Sequence, residues 1–330
     1  MMRSIYLCNK KQNVESVYAD SFDKLLDVER TVYTSADVIA EPEKFSDVEY
    51  VFSTWGMPSM TEEEIKTCLP SLKCVFYAAG SVQAFARPFL ACGVKVFSAW
   101  AANAVPVVEY TLAQIILSNK GFFAHSREMK KGNREAGKVM KNNYPGNYGE
   151  SVGIIGVGMI GSQVAQRLKE YKLNVLAFDP FLTDERAESL GIKKATLDEL
   201  FSTCRVVTNH MANNEQTKGM LDYKYFSKML PYSTFINTGR GAQVVEADLV
   251  RVLEERPDVT AILDVTYPEP PAEGHAFYTL PNCFLTPHIA GSLMSETHRL
   301  AEYIIEEYER FIAGEPCRYE VSEKMLETMA

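Results

Sequence analysis

Residues 151–168 read SVGIIGVGMIGSQVAQRL, and residues 174–180 read NVLAFDP. The first stretch opens with a continuous apolar run over 152–155, as in a strand buried on both faces. It breaks into Gly156-Val157-Gly158-Met159-Ile160-Gly161 and continues with apolar residues at helical spacing. The second stretch is another apolar strand, closed by Asp179 and Pro180. Strand, glycine turn, helix, strand and acid make up the context that gives a G-x-G-x-x-G its meaning. Gly156 lets the chain turn sharply, Gly158 lets a pyrophosphate approach the backbone, and Gly161 lets helix and strand pack closely. The helix start, at Met159 and Ile160, offers free N–H groups and a partial positive charge to phosphates. Asp179 suits the adenosine ribose hydroxyls and repels a 2′-phosphate, so the expected cofactor is NAD rather than NADP.

Downstream, apolar strands recur at 205–208, 233–237, 259–263 and 283–285, with helical patterns between them. One of these helices opens with a capping box from Thr196 to Glu199. The alternation predicts a doubly wound parallel sheet up to about residue 290. Such sheets bind ligands beyond the carboxyl ends of their strands. Four charged groups fall there: Arg240 in INTGRG, Asp264 in ILDV, Glu269 in YPEPP and His288 in LTPHIAG. Histidine can give or take a proton near neutral pH, and a neighbouring carboxylate fixes its tautomer. Arginine adds a two-pronged donor for a carboxylate or carbonyl. Taken singly, each has a plain structural use; together beside a nucleotide loop they suggest hydride-transfer chemistry. Among the other histidines, His125 and His298 fall on helical faces. His275 lies in the loop between Glu269 and His288, and His210 ends a strand and reads as cofactor wall.

Upstream, strands are expected at 3–8, 49–54, 73–77 and 94–98, with a helix over 15–29. A further helix begins at a capping box at Thr61 and runs to about Cys68, and a short one follows Pro88. A long helix over 104–119 has Pro106 in its first turn. Residues 130–150 are polar, basic and rich in Gly and Asn, as in a surface excursion. From Glu296 a final helix carries Leu300, Ile304, Tyr308 and Ile312 on one face. That face needs an apolar surface, which the small first unit can supply. The expected domains are therefore 1–102 with 296–330, and 103–295.

The chain has 330 residues, enough for about two domains. Lys and Arg total 34 against 43 Asp and Glu, a net charge of −9, so no broad attraction for nucleic acid is expected. No run of roughly 18 apolar residues is present, so no membrane span is expected. The start, MMRSIYLCNKK, lacks a secretory apolar core. The seven cysteines, Cys8, Cys68, Cys74, Cys92, Cys204, Cys283 and Cys317, are odd in number and contain no CxxC. Neither a disulfide framework nor a metal site is expected, and a cytoplasmic location fits.

The segments VGIIGVGMIG…AFDP, NTGRG, LDVTYPEP and TPHIAG, in this order and spacing, resemble the D-isomer-specific 2-hydroxyacid dehydrogenase family over nearly the whole chain. The resemblance implies an α/β fold of two doubly wound, parallel-sheet, Rossmann-like domains. The larger would bind NAD; the smaller, flavodoxin-like and discontinuous, would bind a small 2-oxo or 2-hydroxy acid, with the active site in the cleft. It implies Arg240, Glu269 and His288 as catalytic residues. It places Asp264 and Thr238 at the nicotinamide and His210, Met211 and Ala212 at the ribose and adenine wall. Pro180, Thr217, Gly239 and Gly291 also join the cofactor site. The substrate carboxylate would meet backbone amides of Ala79-Gly80-Ser81-Val82-Gln83, where Val82 and Ala84 replace the usual second glycine and acid. Trp55 and Gly56 would line the pocket, in a segment with no Arg or Lys for a substrate phosphate. Glu269 argues against formate as substrate. Residues 103–109, NAVPVVE, depart from the family's N-A-x-S-V-A-E at Pro106. A homodimer through the NAD-binding domain, around 104–119 and 130–148, is also implied. The reading is an NAD-dependent D-2-hydroxyacid dehydrogenase. The alternative is an NADH-sensing, corepressor-like protein of the same fold. An amino-acid dehydrogenase would carry a lysine near the strand-end residues, and none is there.

Overall fold

The computed structural model describes residues 3–25 and 27–327. The chain divides into two compact units, Met1–Ala104 with Ser292–Ala330, and Val105–Gly291. The crossings therefore fall two and four residues from the expected 102/103 and 295/296. The first lies within the helix Trp100–Asn119, which starts earlier than expected and places Pro106 in its second turn rather than its first.

In the first unit, β1 (Arg3–Leu7), β2 (Val28–Tyr33), β3 (Val48–Ser53), β4 (Cys74–Tyr77) and β5 (Lys95–Ser98) lie parallel in the order β2-β1-β3-β4-β5. The short strand Glu320–Val321 pairs antiparallel with β5. Strand β2 corrects the helix expected over 15–29. Helix covers only Lys11–Tyr18, a tight 3-10 turn spans Ala19–Lys24, and the chain is extended from Val28. As the outer strand, β2 exposes Arg30 and Thr31 between the buried Val28 and Tyr33. It therefore lacks the apolar run that marks a central strand.

Register sets Phe52, Phe76 and Phe97 side by side across β3, β4 and β5. Their rings stack at 5.2 and 5.0 Å. The helix His298–Ala313 lays Tyr308 and Phe311 edge-on against this ladder and buries Leu300, Ala301, Ile304 and Ile305 beside it. Ile312, expected on the same face, is 41% exposed. Each step of four residues advances about 40° around a helix, so three steps from Leu300 carry Ile312 off the stripe, and Phe311 takes its place. Glu307 is fully buried in this helix. Its carboxylate accepts from the N–H groups of Arg318 (2.9 and 3.1 Å) and Tyr319 (2.9 Å), which ties down the following strand.

In the second unit, β6 (Tyr148–Ile155), β7 (Lys172–Phe178), β8 (Lys193–Lys194), β9 (Val206–Asn209), β10 (Thr234–Asn237), β11 (Thr260–Leu263) and β12 (Cys283–Leu285) are all parallel. Their order is β8-β7-β6-β9-β10-β11-β12. The chain builds outward from β6 in one direction, then returns to β9 and builds in the other. A doubly wound sheet opens a crevice at such a reversal. Both units are thus doubly wound α/β layers. The two capping boxes form as expected, at Thr61–Glu64 and Thr196–Glu199. Among the described residues no helix is long and apolar enough to cross a membrane.

Candidate active site

The glycine turn leaves β6 at Gly156, whose φ of +87° is strained for any residue with a Cβ. A Cβ there would lie 2.8 Å from Met211 N, and one on Gly161 would lie 2.0 Å from Gly156 O. These two glycines are required by the loop's own packing. A Cβ on Gly158 would meet nothing within 4 Å. Its bareness serves the open space in front of the helix Met159–Leu168, which has no side-chain cap on its first N–H groups. The cradle fits a pyrophosphate. At the end of β7, Asp179 accepts from Val157 N–H through Oδ2 (2.7 Å) and from Phe181 N–H through Oδ1 (2.8 Å). Each oxygen keeps lone pairs for ribose hydroxyls. Pro180 is exposed beside it.

The other strand-end residues gather on the same edge. His288 Nδ1 lies 2.7 Å from Glu269 Oε1, and both side chains are close to half exposed. Glu269 sits between two cis X-Pro peptides, Tyr267-Pro268 and Glu269-Pro270. Arg240 follows β10, donating through Nη1 to Gly239 O at 2.7 Å. Burial pushes its guanidinium basicity down, and the Glu269 carboxylate, near enough to act on it, pushes it back up. His288 holds a left-handed φ of +54°, a strained conformation for a non-glycine residue. Asp264, buried at the end of β11, braces it. The Asp264 carbonyl accepts from His288 N–H, while its carboxylate accepts from Thr286 Oγ1 (2.6 Å), Ile289 N–H (2.8 Å) and Ala290 N–H (2.9 Å). Thr286 also meets the Tyr110 hydroxyl at 3.1 Å. Gly291 ends the unit immediately after.

His210 is wedged between hydroxyls: Nε2 is 3.0 Å from Thr208 Oγ1 and Nδ1 is 3.2 Å from Thr238 Oγ1. The residue keeps some surface exposure, yet burial of the ring lowers its pKa to about 3. The imidazole therefore stays neutral at neutral pH. Thr238 extends the hydroxyl chain to Thr111 at 3.3 Å. Thr217 spends its hydroxyl on Ala212 O (2.7 Å), closing the turn after β9. His275, open to a pocket role from sequence, instead accepts from Phe277 N–H and packs its ring on Phe277 at 4.5 Å.

Three side chains that the sequence reading passed over hold this edge together. Gln243, fully buried, donates from Nε2 to the carbonyls of Met211 and Ala212, both at 2.8 Å. Its Oε1 accepts from Asn209 Nδ2 (2.6 Å) and Arg240 N–H (3.3 Å). Asn209 Nδ2 also donates to Asn237 Oδ1 (3.0 Å), which accepts from Gly239 N–H (3.1 Å), while Asn237 Nδ2 donates to Arg240 O (3.1 Å). The Met211–Ala212 turn and the arginine turn thus share one buried carboxamide network. The sequence signal was an asparagine closing a buried strand, at 209 and again at 237.

In the first unit, Gly80, Ser81 and Val82 follow β4. Ser98 Oγ donates to the carbonyls of Ala79 and Gly80, and the Asn103 amide lies against Gly80. Val82 is buried in the core and Ser81 is exposed. Among the described residues, no acceptor is met by the N–H of Ser81 or Val82. Trp55, 36% exposed, and Gly56, at φ +110°, follow β3. Among the described residues no cluster of His, Cys, Asp and Glu could hold a metal ion.

The sequence profile described as "D-isomer specific 2-hydroxyacid dehydrogenase, NAD binding domain" matches residues 112–290, more than half of the chain. The chain belongs to that family. Its second unit is the family's NAD-binding domain, on which the glycine cradle and Asp179 lie. The chain is 32% identical over 230 residues to a D-3-phosphoglycerate dehydrogenase of Archaeoglobus fulgidus, covering 70% of this chain and 43% of that one. It is 33% identical over 204 residues to the 2-hydroxyacid dehydrogenase homologue YoaD of Bacillus subtilis, covering 61% and 58%. The match therefore spans about two-fifths to three-fifths of these relatives' length. Among solved structures, D-mandelate dehydrogenase of Rhodotorula graminis superposes with a TM-score of 0.79 at 19% identity, covering 98% of both chains. A D-lactate dehydrogenase of Treponema pallidum gives 0.72 at 20% identity over 97% and 100%. These two share the family's fold.

Proposed function

We propose that the protein is an NAD-dependent oxidoreductase that interconverts a D-2-hydroxy acid and its 2-oxo acid, with Arg240, Glu269 and His288 as the catalytic residues. The observation that carries this reading is the 2.7 Å pairing of His288 Nδ1 with Glu269 on the same sheet edge as the glycine cradle. Bound NAD supplies the two-electron acceptor or donor for C2 of the acid. Glu269, accepting from Nδ1–H, holds the tautomer that leaves Nε2 to handle the reacting proton. In reduction, Nε2–H of His288 protonates the carbonyl oxygen; in oxidation, Nε2 takes the hydroxyl proton. Arg240 grips carboxylate and carbonyl oxygens with its planar fork. Ser81 and Val82, whose N–H groups meet no acceptor among the described residues, and Trp55 and Gly56 are the first unit's candidates for substrate contact. Asp264, Thr238, His210, Met211 and Ala212 wall the cofactor, with Thr217, Gly239 and Gly291 shaping that wall.

A panel of glyoxylate, hydroxypyruvate, pyruvate, and branched and aromatic 2-oxo acids, followed by NADH absorbance, tests the reading. His288→Gln should cut turnover by about 10²–10⁴-fold, the usual weight of a general acid, while NADH binding persists. Unchanged turnover in that variant would overturn the role of His288, and NADH binding without turnover of any acid would favour a sensor. We also propose a homodimer through the second unit. Phe122 and Met129 ahead of the excursion and Tyr148 within it are 49%, 51% and 76% exposed, apolar side chains available to a second copy. Light scattering that returned a monomer at micromolar concentration would contradict it. The odd number of cysteines and the absence of a CxxC pair support a reducing, cytoplasmic setting. Disulfide-linked chains in protein quenched at lysis would oppose it.

A further inference from the structure

Strands β4, β3 and β1 are neighbours in the first sheet, so the turns that follow them lie in a row. The turn after β1 is clipped to the turn after β3. Asn9 N–H donates to Gly56 O (2.8 Å), Asn13 Nδ2 donates to Trp55 O (2.6 Å), and the Cys8 thiol points at Trp55 O (3.5 Å). A Cβ on Gly56 would lie 2.9 Å from Lys10 Cβ and 3.1 Å from Lys10 Cγ. The lysine stem therefore lies across the bare glycine, in the space that a side chain at 56 would fill. Burial raises the pKa of the Cys8 thiol, and the Lys10 charge offsets part of that rise. Lys11 pairs with Asp37 at 3.7 Å. Lys10 meets no carboxylate among the described residues. The stem of an exposed lysine with no ion pair among the described residues thus lies against Gly56, although residues 54–57 contain no cation.

We propose that Lys10 is a specificity-determining residue that selects 2-oxo acids bearing a second anionic group, carboxylate or phosphate, at the end remote from the keto acid. The inference rests on the 2-oxo acid reading above and names the substrate class within it. Spacing supports it. Adjacent strands lie about 4.8 Å apart, so the unpaired amides after β4 and the Lys10 turn after β1 are about 10 Å apart. The flexible four-carbon stem of a lysine shortens that gap to the length of a short two-ended acid. Trp55, after the intervening β3, offers an apolar wall to the carbons between the two charged ends.

Matched pairs of substrates with NADH test it: 2-oxobutyrate against oxaloacetate, 2-oxovalerate against 2-oxoglutarate, and hydroxypyruvate against 3-phosphohydroxypyruvate. In at least one pair the two-ended acid should have a kcat/KM about tenfold higher, carried by KM, as expected of one charge-assisted hydrogen bond. The pair that responds distinguishes carboxylate from phosphate. Lys10→Gln should collapse the ratio towards one, and Lys10→Glu should invert it. Ratios near one in the wild type, or ratios that survive Lys10→Gln, would overturn the inference. Equilibrium binding of 2-oxoglutarate and 2-oxovalerate, read by calorimetry with NADH present, separates the two claims. A Lys10-dependent binding preference without turnover supports Lys10 and refutes the dehydrogenase; turnover and binding without preference do the reverse.

Discussion

His210 makes the second unit's stability depend on pH. Its folded pKa is about 3 against an ordinary 6.5, because burial between Thr208 and Thr238 disfavours the imidazolium. Between those two values the unfolded chain binds a proton that the folded chain refuses, so stability falls as pH drops through 6.5 and continues to fall until about 3. The contribution is fully present above pH 6.5. Linkage puts the loss between pH 7 and pH 5 at about 2 kcal/mol, and the limit below pH 3 at about 5 kcal/mol. A domain stable by about 5–15 kcal/mol registers such a loss clearly. His210→Gln keeps a polar group between the two hydroxyls and removes the titration. The assay is urea unfolding of the cofactor-free protein at pH 7 and pH 5, followed by far-ultraviolet circular dichroism. Both tryptophans, Trp55 and Trp100, lie in the first unit, so their emission reports the unit without His210. Wild type should lose about 2 kcal/mol more than His210→Gln over this interval. Parallel pH dependences in the two proteins would refute the buried-neutral assignment.

The glycines of the turn should separate by role. Gly161→Ala drives a Cβ into Gly156 O and should destabilise the second unit by about 1–3 kcal/mol, measured by denaturant melts. Gly158→Ala meets nothing within 4 Å and should melt like wild type while NADH binding, read by fluorescence titration, weakens by at least about tenfold. Wild-type NADH affinity in that variant would remove Gly158 from the cofactor cradle. Asp264→Asn replaces an oxygen that accepts from Ala290 N–H or Ile289 N–H by an N–H group. It should cost about 3 kcal/mol and lower the calorimetric melting temperature by roughly 6–12 °C. A shift of under about 2 °C would mean that the loop carrying His288 is braced elsewhere.

The legible parts of the molecule were those encoded over short stretches. The buried strands of the second sheet announce themselves as apolar runs because both faces are covered. Two of the edge strands, β2 and β8, did not. The described part of β2, Val28–Tyr33, exposes polar residues at its centre, and β8 is two exposed lysines, so neither carries a buried strand's signature. In the same way, the i,i+4 reading of the last helix was sound for Leu300 and Ile304 but lost Ile312 to the angular drift of the helix.

For the site, the sequence alone determined the glycine turn, its acid and the polar groups at the strand ends, because turn stereochemistry and strand termination are local properties. Tertiary structure decided what those groups touch. It set His288 on Glu269, made Asp264 the brace of the histidine loop, and silenced His210 by burial. It also linked Asn209, Asn237 and Gln243 into one network and laid Lys10 across Gly56. These contacts join residues tens of positions apart. Sheet register and packing bring them together, and no local pattern in the chain encodes either.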